Sequence, residues 1–244
     1  MVEGDAEVKA QVMGLAELTN LLSHPAPGFI CVPAGAEKND RRFVARVRHI
    51  AANPASPAAI GLARHRGWPG EREFIEFYSR HNGVLLFAPI IPRRGLPAEV
   101  VASDGGIRLF PIEEWWEKSD ARIAEFFANG QSNPVLPRAA QHTVAIGEVP
   151  LSANLFALVV KGWRRGRIKR LDHDRSPFTS DKLARSFDEL LGLICQDPAQ
   201  LLYRLGCYTR YSDEIGDTQW IPIHYVADVR DLSGGDIRAA TDFT

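Results

Sequence analysis

The chain contains few cysteines and no excess of either charge. Only 3 of its 244 residues are cysteine, an odd number without a C-x-x-C spacing, so neither a disulfide framework nor a cysteine zinc site is predicted. Lys and Arg total 29 against 30 Asp and Glu. The resulting net charge of −1 gives no overall field that would steer the protein toward nucleic acid or anionic lipid. Any electrostatic function must therefore be local.

Long hydrophobic runs are also absent. The longest, residues 83–92, is too short to cross a bilayer. The first ten residues, MVEGDAEVKA, are acidic and lack the apolar segment of a signal peptide. We therefore expect a cytoplasmic protein without a membrane anchor. With 45% hydrophobic and 24% charged residues, the composition is that of a globular protein that folds around a core without a metal or cofactor.

The first third of the chain shows helical spacing. One helix is predicted to end near Leu22, and its apolar face comprises Val8, Val12, Leu15, Leu18 and Leu22. Asn39 or Asp40 is expected to cap a second helix that continues to Ala51, with Phe43, Val47 and Ile50 facing inward. Ser56-Pro57 has the composition of a helix start, and Gly67 that of its end. This region is predicted to be a helical extension.

The stretch EFIEFYSRHNGVLLF, residues 73–87, changes from helical to strand character at Asn82-Gly83. Three aromatic residues and His81 share one helical face before this point. Asn and Gly tolerate the left-handed conformation that ends a helix. Val84 to Phe87 then has the composition of a strand. A direct turn from helix to strand is predicted.

The middle of the chain predicts a hairpin and an aromatic helix. Residues 100–101 and 107–110 are short β-prone runs on either side of a Ser-Asp-Gly-Gly turn signal. Pro111 then begins a helix. Adjacent helical residues cannot both face one core, so we expect Trp116 to be buried and Trp115 to be partly exposed.

Further strands and a capped helix follow. Strands are predicted at residues 143–146, 155–161 and 167–171, and the last two form a hairpin through residues 162–166. Ser186 and Glu189 have the spacing of a capping box that starts an amphipathic helix. Residues 220–226 are predicted to form an edge strand.

The strongest local charge feature is the hairpin turn Trp163-Arg164-Arg165-Gly166-Arg167. Trp and Arg are enriched among the residues that dominate protein interfaces. An acidic protein is therefore the favoured partner, and Trp115 would be a second contact. Nucleic acid is conceivable, because arginines pair with phosphates and aromatic rings stack on bases. A turn whose charges are simply solvated is the interpretation that the pattern favours overall, an acidic protein is the leading functional one, and nucleic acid is not the expected partner.

Asp172-His173-Asp174 is the densest group of possible metal ligands or catalytic groups. Consecutive residues of a strand point to opposite faces, so the three side chains cannot converge without a bend. No phosphate loop, nucleophile elbow or H-E-x-x-H motif is present. We therefore expect no catalytic residues, no bound metal and no cofactor. A metal-dependent hydrolase remains the enzymatic alternative.

The order of several short motifs resembles the SUKH superfamily. These are EFYSRHNGVLLF (76–87), IRLFPIEEWW (107–116), NLFALVVKGWRRGRIKRLDHD (154–174) and ARSFDELL (184–191). Members of that superfamily include bacterial toxin-immunity proteins and a fungal regulator of cell-wall synthesis. The resemblance implies an α+β fold, a mainly antiparallel sheet with helices packed against it, and protein binding without catalysis.

Three segments follow from these patterns. Residues 1–66 are predicted to be an N-terminal helical extension, residues 67–206 a SUKH-like α+β core, and residues 207–244 an edge strand and tail. The expected function is that of an immunity protein that binds and neutralises a toxin domain. The alternative is a regulator or scaffold that docks partners through its N-terminal helices. The oligomeric state is left open.

Overall fold

Runs of strands separated by one or two helices make up the described chain. The computed structural model describes residues 13–23, 28–33, 42–68, 72–91, 100–101, 106–128, 142–150, 154–171, 180–196, 201 and 230–231. The helices of these residues are α1 Met13–Leu22, α2 Pro57–His65, α3 Arg72–Tyr78, α4 Glu114–Ala128 and α5 Phe187–Gln196. The strands are β1 Gly28–Pro33, β2 Arg42–Ala51, β3 Val84–Ile91, β4 Val100–Val101, β5 Ile107–Leu109, β6 Thr143–Val149, β7 Asn154–Val159, β8 Ile168–Leu171, β9 Ser180–Ala184 and β10 Arg230–Asp231.

The described strands form one antiparallel sheet. Eight of them follow the order β1-β2-β3-β5-β6-β7-β8-β9, while β4 pairs with β3 and β10 pairs with β2. The predicted α+β class with a mainly antiparallel sheet is thereby confirmed. Residues before position 67 contribute to the same sheet, because β2 pairs with β3 and places Ile50 opposite Leu85. The boundary at residue 66 stays a prediction.

The helix expected from residue 39 or 40 to Ala51 is wrong, because residues 42–51 form strand β2. Phe43 and Val47 are four residues apart, and this spacing puts two side chains on one face of a helix and equally on one face of a strand. Pairing with a neighbouring strand makes these residues a strand and not a helix. β1 runs antiparallel to β2 with Cys31 opposite Val44, and it supplies a ladder of backbone hydrogen bonds.

The predicted turn from helix to strand at Asn82-Gly83 is confirmed. Gly83 has a φ of +97°, in the left-handed region that glycine tolerates. The Asn82 side-chain oxygen accepts a hydrogen bond of 3.0 Å from the backbone N–H of Ile112, and its amide nitrogen donates to Glu113 Oε2 at 2.9 Å. Asn82 therefore joins the end of α3 to the segment that leads into α4.

The hairpin expected between residues 100–101 and 107–110 is wrong in its pairing. Both strands exist as β4 and β5, but within the described residues each pairs with β3 and not with the other. Strand β3 extends to Ile91, well beyond the predicted Phe87, and its edge is long enough to accept both. Turn residues between two β-prone runs indicate a change of direction, whereas the partner of each run depends on the rest of the sheet.

Aromatic side chains form the centre of the core. Phe74 and Phe187 stack with ring centroids 4.0 Å apart, and Tyr78 meets Trp115 edge to face at 5.2 Å. The Tyr78 hydroxyl and the Trp115 indole N–H both donate to the backbone carbonyl of Phe110, at 3.0 and 3.3 Å. These bonds satisfy the polar atoms of two fully buried rings.

The later elements largely match the prediction. Strands β6, β7 and β8 are present, and the apolar face of α5 is fully buried. Ser186 accepts a hydrogen bond from the Glu189 backbone N–H at 3.1 Å, as expected at the start of this helix. Strand β9 was not anticipated. The edge strand expected at residues 220–226 lies outside the described residues.

Candidate functional site

The turn between β7 and β8 is held closed by backbone hydrogen bonds. Gly166 N–H donates to the Val159 carbonyl and Val159 N–H donates to the Arg167 carbonyl, both at 2.9 Å. Arg165 N–H also donates to the Gly162 carbonyl at 3.1 Å. Gly162 and Gly166 have φ values of +82° and +88°, which allow the chain to reverse within a few residues. The predicted glycine turn is confirmed, and Trp163 lies near its middle.

Trp163 is exposed, and two arginines lie over its ring. Its relative exposure is 80%, the largest of the large hydrophobic side chains in the described residues. The guanidinium carbons of Arg164 and Arg167 lie 4.4 and 5.3 Å from the ring centroid. These are cation–π distances, which favour a defined position of the indole and the two guanidinium groups. Three of the five predicted contact residues therefore converge here.

Arg165 has a different environment from its neighbours. Its guanidinium donates a hydrogen bond of 3.0 Å to the backbone carbonyl of Trp68. Trp68 is buried against Phe74 and Trp115. Arg165 therefore fastens the turn to the aromatic core, in addition to contributing positive charge to this surface.

The expected exposure of Trp115 is wrong. Trp115 is fully buried, while Trp116 is half-buried and lies under Arg66, whose guanidinium carbon is 4.9 Å from the ring centroid. The positions 112, 115 and 119 are spaced as well for an inward face as 112, 116 and 119. The carbonyl of Phe110 favours burial of Trp115 over Trp116, because it gives the Trp115 indole N–H a hydrogen-bond partner inside the core. A partner cannot reach Trp115 without disrupting the fold.

A cavity of about 180 Å³ lies beside Trp163. Its polar and charged lining comes from His142, Thr143, Lys161, Arg164 and Lys169, and Val159, Gly162 and Trp163 complete it. His142 reaches the cavity because β6 pairs with β7, and the Val160 N–H donates to the His142 carbonyl at 2.8 Å. Sequence reasoning missed His142, since only strand pairing brings it near the turn.

Lys169 is the partly buried cation of this cavity. Burial lowers the pKa of its ammonium group, and the positive charge of Arg164 lowers the pKa further. Lys182 stands opposite Lys169 in the register of β8 and β9. The cavity therefore holds positive charges close to one another, which favours binding of an anion.

A second cavity of about 190 Å³ is mainly apolar. Ile50, Leu85 and Pro111 contribute to its lining, and Ile50 is 44% exposed. Arg108 at its edge is already paired with Glu114 at 3.0 Å and with Glu148 at 3.2 Å. This cavity offers an apolar surface without a free charge at Arg108.

The described residues offer no obvious metal centre. No group of three or more His, Cys, Asp or Glu side chains in this part of the chain is arranged to hold a metal ion. Asp172-His173-Asp174 lies outside the described residues. Cys195 is largely buried, and burial raises the pKa of its thiol to about 12, so the reactive thiolate form is disfavoured.

No protein-family model matches this chain, and no curated protein matches it either.

None of the helices within the described residues is both long and apolar enough to cross a membrane.

Proposed function

We propose that this protein is a non-enzymatic binding module that contacts an acidic surface of a partner protein through Trp163, Arg164 and Arg167. The observation that carries the proposal is the exposed indole with two guanidinium groups over its ring. An indole of this exposure has no role in the core, and Trp and Arg dominate the energetics of many interfaces.

Pre-organisation supports the same conclusion. The backbone bonds of the turn and the bond from Arg165 to the Trp68 carbonyl fix the turn before any partner arrives. A binding surface that is already ordered loses less conformational entropy on association. The surface is also local, in agreement with a chain whose net charge is only −1.

We further propose that the partner is a toxin domain and that the chain is a cytoplasmic immunity protein of SUKH type. The sequence motifs that resemble this superfamily support the assignment, together with an α+β fold whose antiparallel sheet contains several of them. The functional test therefore uses the partner itself.

The experiment combines binding with protection. The protein is co-expressed with the toxin-like product of the adjacent gene, and we expect the two to co-purify and cell growth to be restored. A Trp163→Ala variant should weaken binding at least ten-fold and reduce protection. Leu62→Ala, which removes another exposed apolar side chain at 49% exposure on α2, should change neither. A folded protein that neither binds nor protects, or Trp163→Ala binding at wild-type strength, contradicts the proposal.

A further inference from the structure

We infer that the cavity beside Trp163 is a binding pocket for a carboxylate, presented by an Asp or Glu side chain of the partner protein. This inference rests on the proposed function, since it names what the partner places next to the exposed indole.

The cavity beside Trp163 is lined by positive charge. Lys161, Arg164 and Lys169 all line the cavity. Within the described residues, the ion pairs join Arg80 to Glu76 and Arg108 to two glutamates, so none of them neutralises these three cations. Lys182, opposite Lys169, adds a further positive charge. A bound anion would relieve the mutual repulsion of this group.

The cavity is also small. Drug-sized and cofactor ligands occupy pockets of roughly 300–1,000 Å³. A cavity of about 180 Å³ is smaller than this range. It has room for a single acidic side chain or a small inorganic anion. Size therefore favours one small anionic group over a drug-sized ligand or cofactor.

The walls of the cavity combine apolar and charged groups. Val159 and Trp163 give the cavity apolar walls, while Lys161 and Lys169 supply ammonium groups. A glutamate side chain fits both parts of the cavity. Its methylene groups can pack against the apolar walls, and its carboxylate can pair with a cation. An inorganic anion would use the charges and leave the apolar walls unoccupied.

Lys169 is the cation of the cavity whose protonation a bound carboxylate would change. Its ammonium group is partly removed from water and faces the charge of Arg164, and both effects lower its pKa. Pairing with a carboxylate acts in the opposite direction, because an anion favours the charged form of the lysine. Binding is therefore expected to raise the pKa of Lys169, and this change identifies the residue that meets the anion.

The test uses an N-acetylated hexaglutamate peptide as the probe for a carboxylate. The peptide is titrated into the protein by calorimetry, and the NMR signals of the lysine ammonium groups are followed with pH. We expect hexaglutamate to bind, with an affinity that falls as salt is added, and the pKa of Lys169 to rise on binding. Lys169→Met, which keeps the apolar stem, should weaken binding at least ten-fold.

The matched control is Arg72→Met. Arg72 is exposed on α3, and its replacement removes the same single positive charge. Binding of hexaglutamate to this variant should stay within two-fold of wild type. Equal losses in the two variants would mean that only net charge matters, and the pocket assignment would be overturned.

Two other ligands test whether the cavity prefers a carboxylate to a free phosphate or to the phosphates of a nucleic acid. Inorganic phosphate should displace hexaglutamate only at much higher concentration, and any binding of single-stranded oligothymidine should be unchanged in Lys169→Met. Absence of hexaglutamate binding to the wild-type protein, phosphate that competes at equal concentration, or oligothymidine binding that is lost in Lys169→Met overturns the assignment of a carboxylate pocket.

The outcomes also distinguish this inference from the proposed function. If Trp163→Ala abolishes toxin binding while Lys169→Met binds both toxin and hexaglutamate normally, the pocket inference fails and the binding surface stands. If Trp163→Ala leaves toxin binding unchanged, the proposed function fails, whatever hexaglutamate does.

Discussion

The guanidinium carbon of Arg164 lies 4.4 Å from the ring centroid of Trp163, at the surface of a turn that is closed by its own backbone hydrogen bonds. The contact gives an exposed indole a preferred position in the absence of a partner. Its contribution to folding is small, because both groups remain largely in water. The contact instead holds an apolar ring and a positive charge in a defined arrangement on one surface.

The two tryptophans at positions 163 and 115 should differ sharply in their effect on stability. Trp163→Ala removes an exposed ring and should lower the free energy of unfolding by no more than about 1 kcal/mol. Trp115→Ala removes a fully buried ring and should cost about 3–5 kcal/mol. Urea denaturation followed by circular dichroism measures both values. Similar losses in the two variants would contradict the burial described here.

Gly14 should tolerate no larger residue, because it lies where α1 meets α5. A Cβ atom there would lie 2.1 Å from the Asp188 carbonyl oxygen and 2.6 Å from the Gly192 nitrogen, both backbone atoms. Gly14→Ala should therefore destabilise the protein by about 1–3 kcal/mol through overpacking. The control is Gly61→Ala in α2, where the added Cβ meets nothing within 4 Å.

Gly61→Ala should change the stability of the protein in the opposite direction to Gly14→Ala. Alanine is favoured over glycine in a helix by up to about 1 kcal/mol, so Gly61→Ala should raise the melting temperature slightly. A stable Gly14→Ala protein would show that the two helices do not approach as closely as described.

Asp188 should stabilise α1 from the neighbouring helix. Its two carboxylate oxygens accept hydrogen bonds from the backbone N–H groups of Leu15 at 3.0 Å and Gly14 at 3.4 Å, in the first turn of α1. Asp188→Ala leaves these buried donors without this partner and should cost about 1–3 kcal/mol. Asp188→Asn keeps one acceptor oxygen and should cost less. Amide hydrogen exchange should show faster exchange at Leu15 in the alanine variant, and unchanged exchange there would contradict this role.

His49 should make the protein less stable in mild acid. Its Nδ1 accepts a hydrogen bond of 3.2 Å from the backbone N–H of Phe87, so this nitrogen carries no proton. Burial lowers the pKa of His49 to about 4, below its usual value near 6.5. Between these values the unfolded chain binds more protons than the folded one, so the free energy of unfolding falls as the pH decreases from 6.5 to 4.

Variants isolate this contribution of His49. Through His49, the free energy of unfolding can change by no more than about 1.4 kcal/mol per pH unit, the limit for one proton. His49→Gln should reduce the pH dependence of unfolding in this window. Equal pH profiles for wild type and His49→Gln would contradict the role of this side chain. The site is of interest because Phe87 has a φ of +56°, an unusual conformation for a bulky residue that the His49 bond supports.

Local signals in the sequence were reliable where they concerned neighbouring residues. The starts of α2 at Ser56-Pro57 and α5 at Ser186, and the turn at Gly83, depend on capping and on left-handed backbone conformations within a few positions. The glycine turn that presents Trp163 belongs to the same class. For these features the residues that cause the structure are adjacent in the chain.

Other features depended on partners far away in the sequence. Residues 42–51 form a strand because β1 and β3 pair with them, although their apolar spacing suits a helix as well. β4 and β5 both pair with β3, which no turn signal could reveal. His142 lines the cavity beside Trp163 for the same reason, since pairing of β6 with β7 brings it there.

The sequence by itself determined the α+β class, the capped helices and the arginine-rich turn, because these follow from composition and from interactions between near neighbours. The tertiary structure decided which of Trp115 and Trp116 is buried, how the strands pair, and that three cations line one small cavity. Local spacing did not favour one outcome over the other in these cases. Contacts with distant segments, such as the packing of Trp68 and Tyr78 against the Trp115 ring, determined the result.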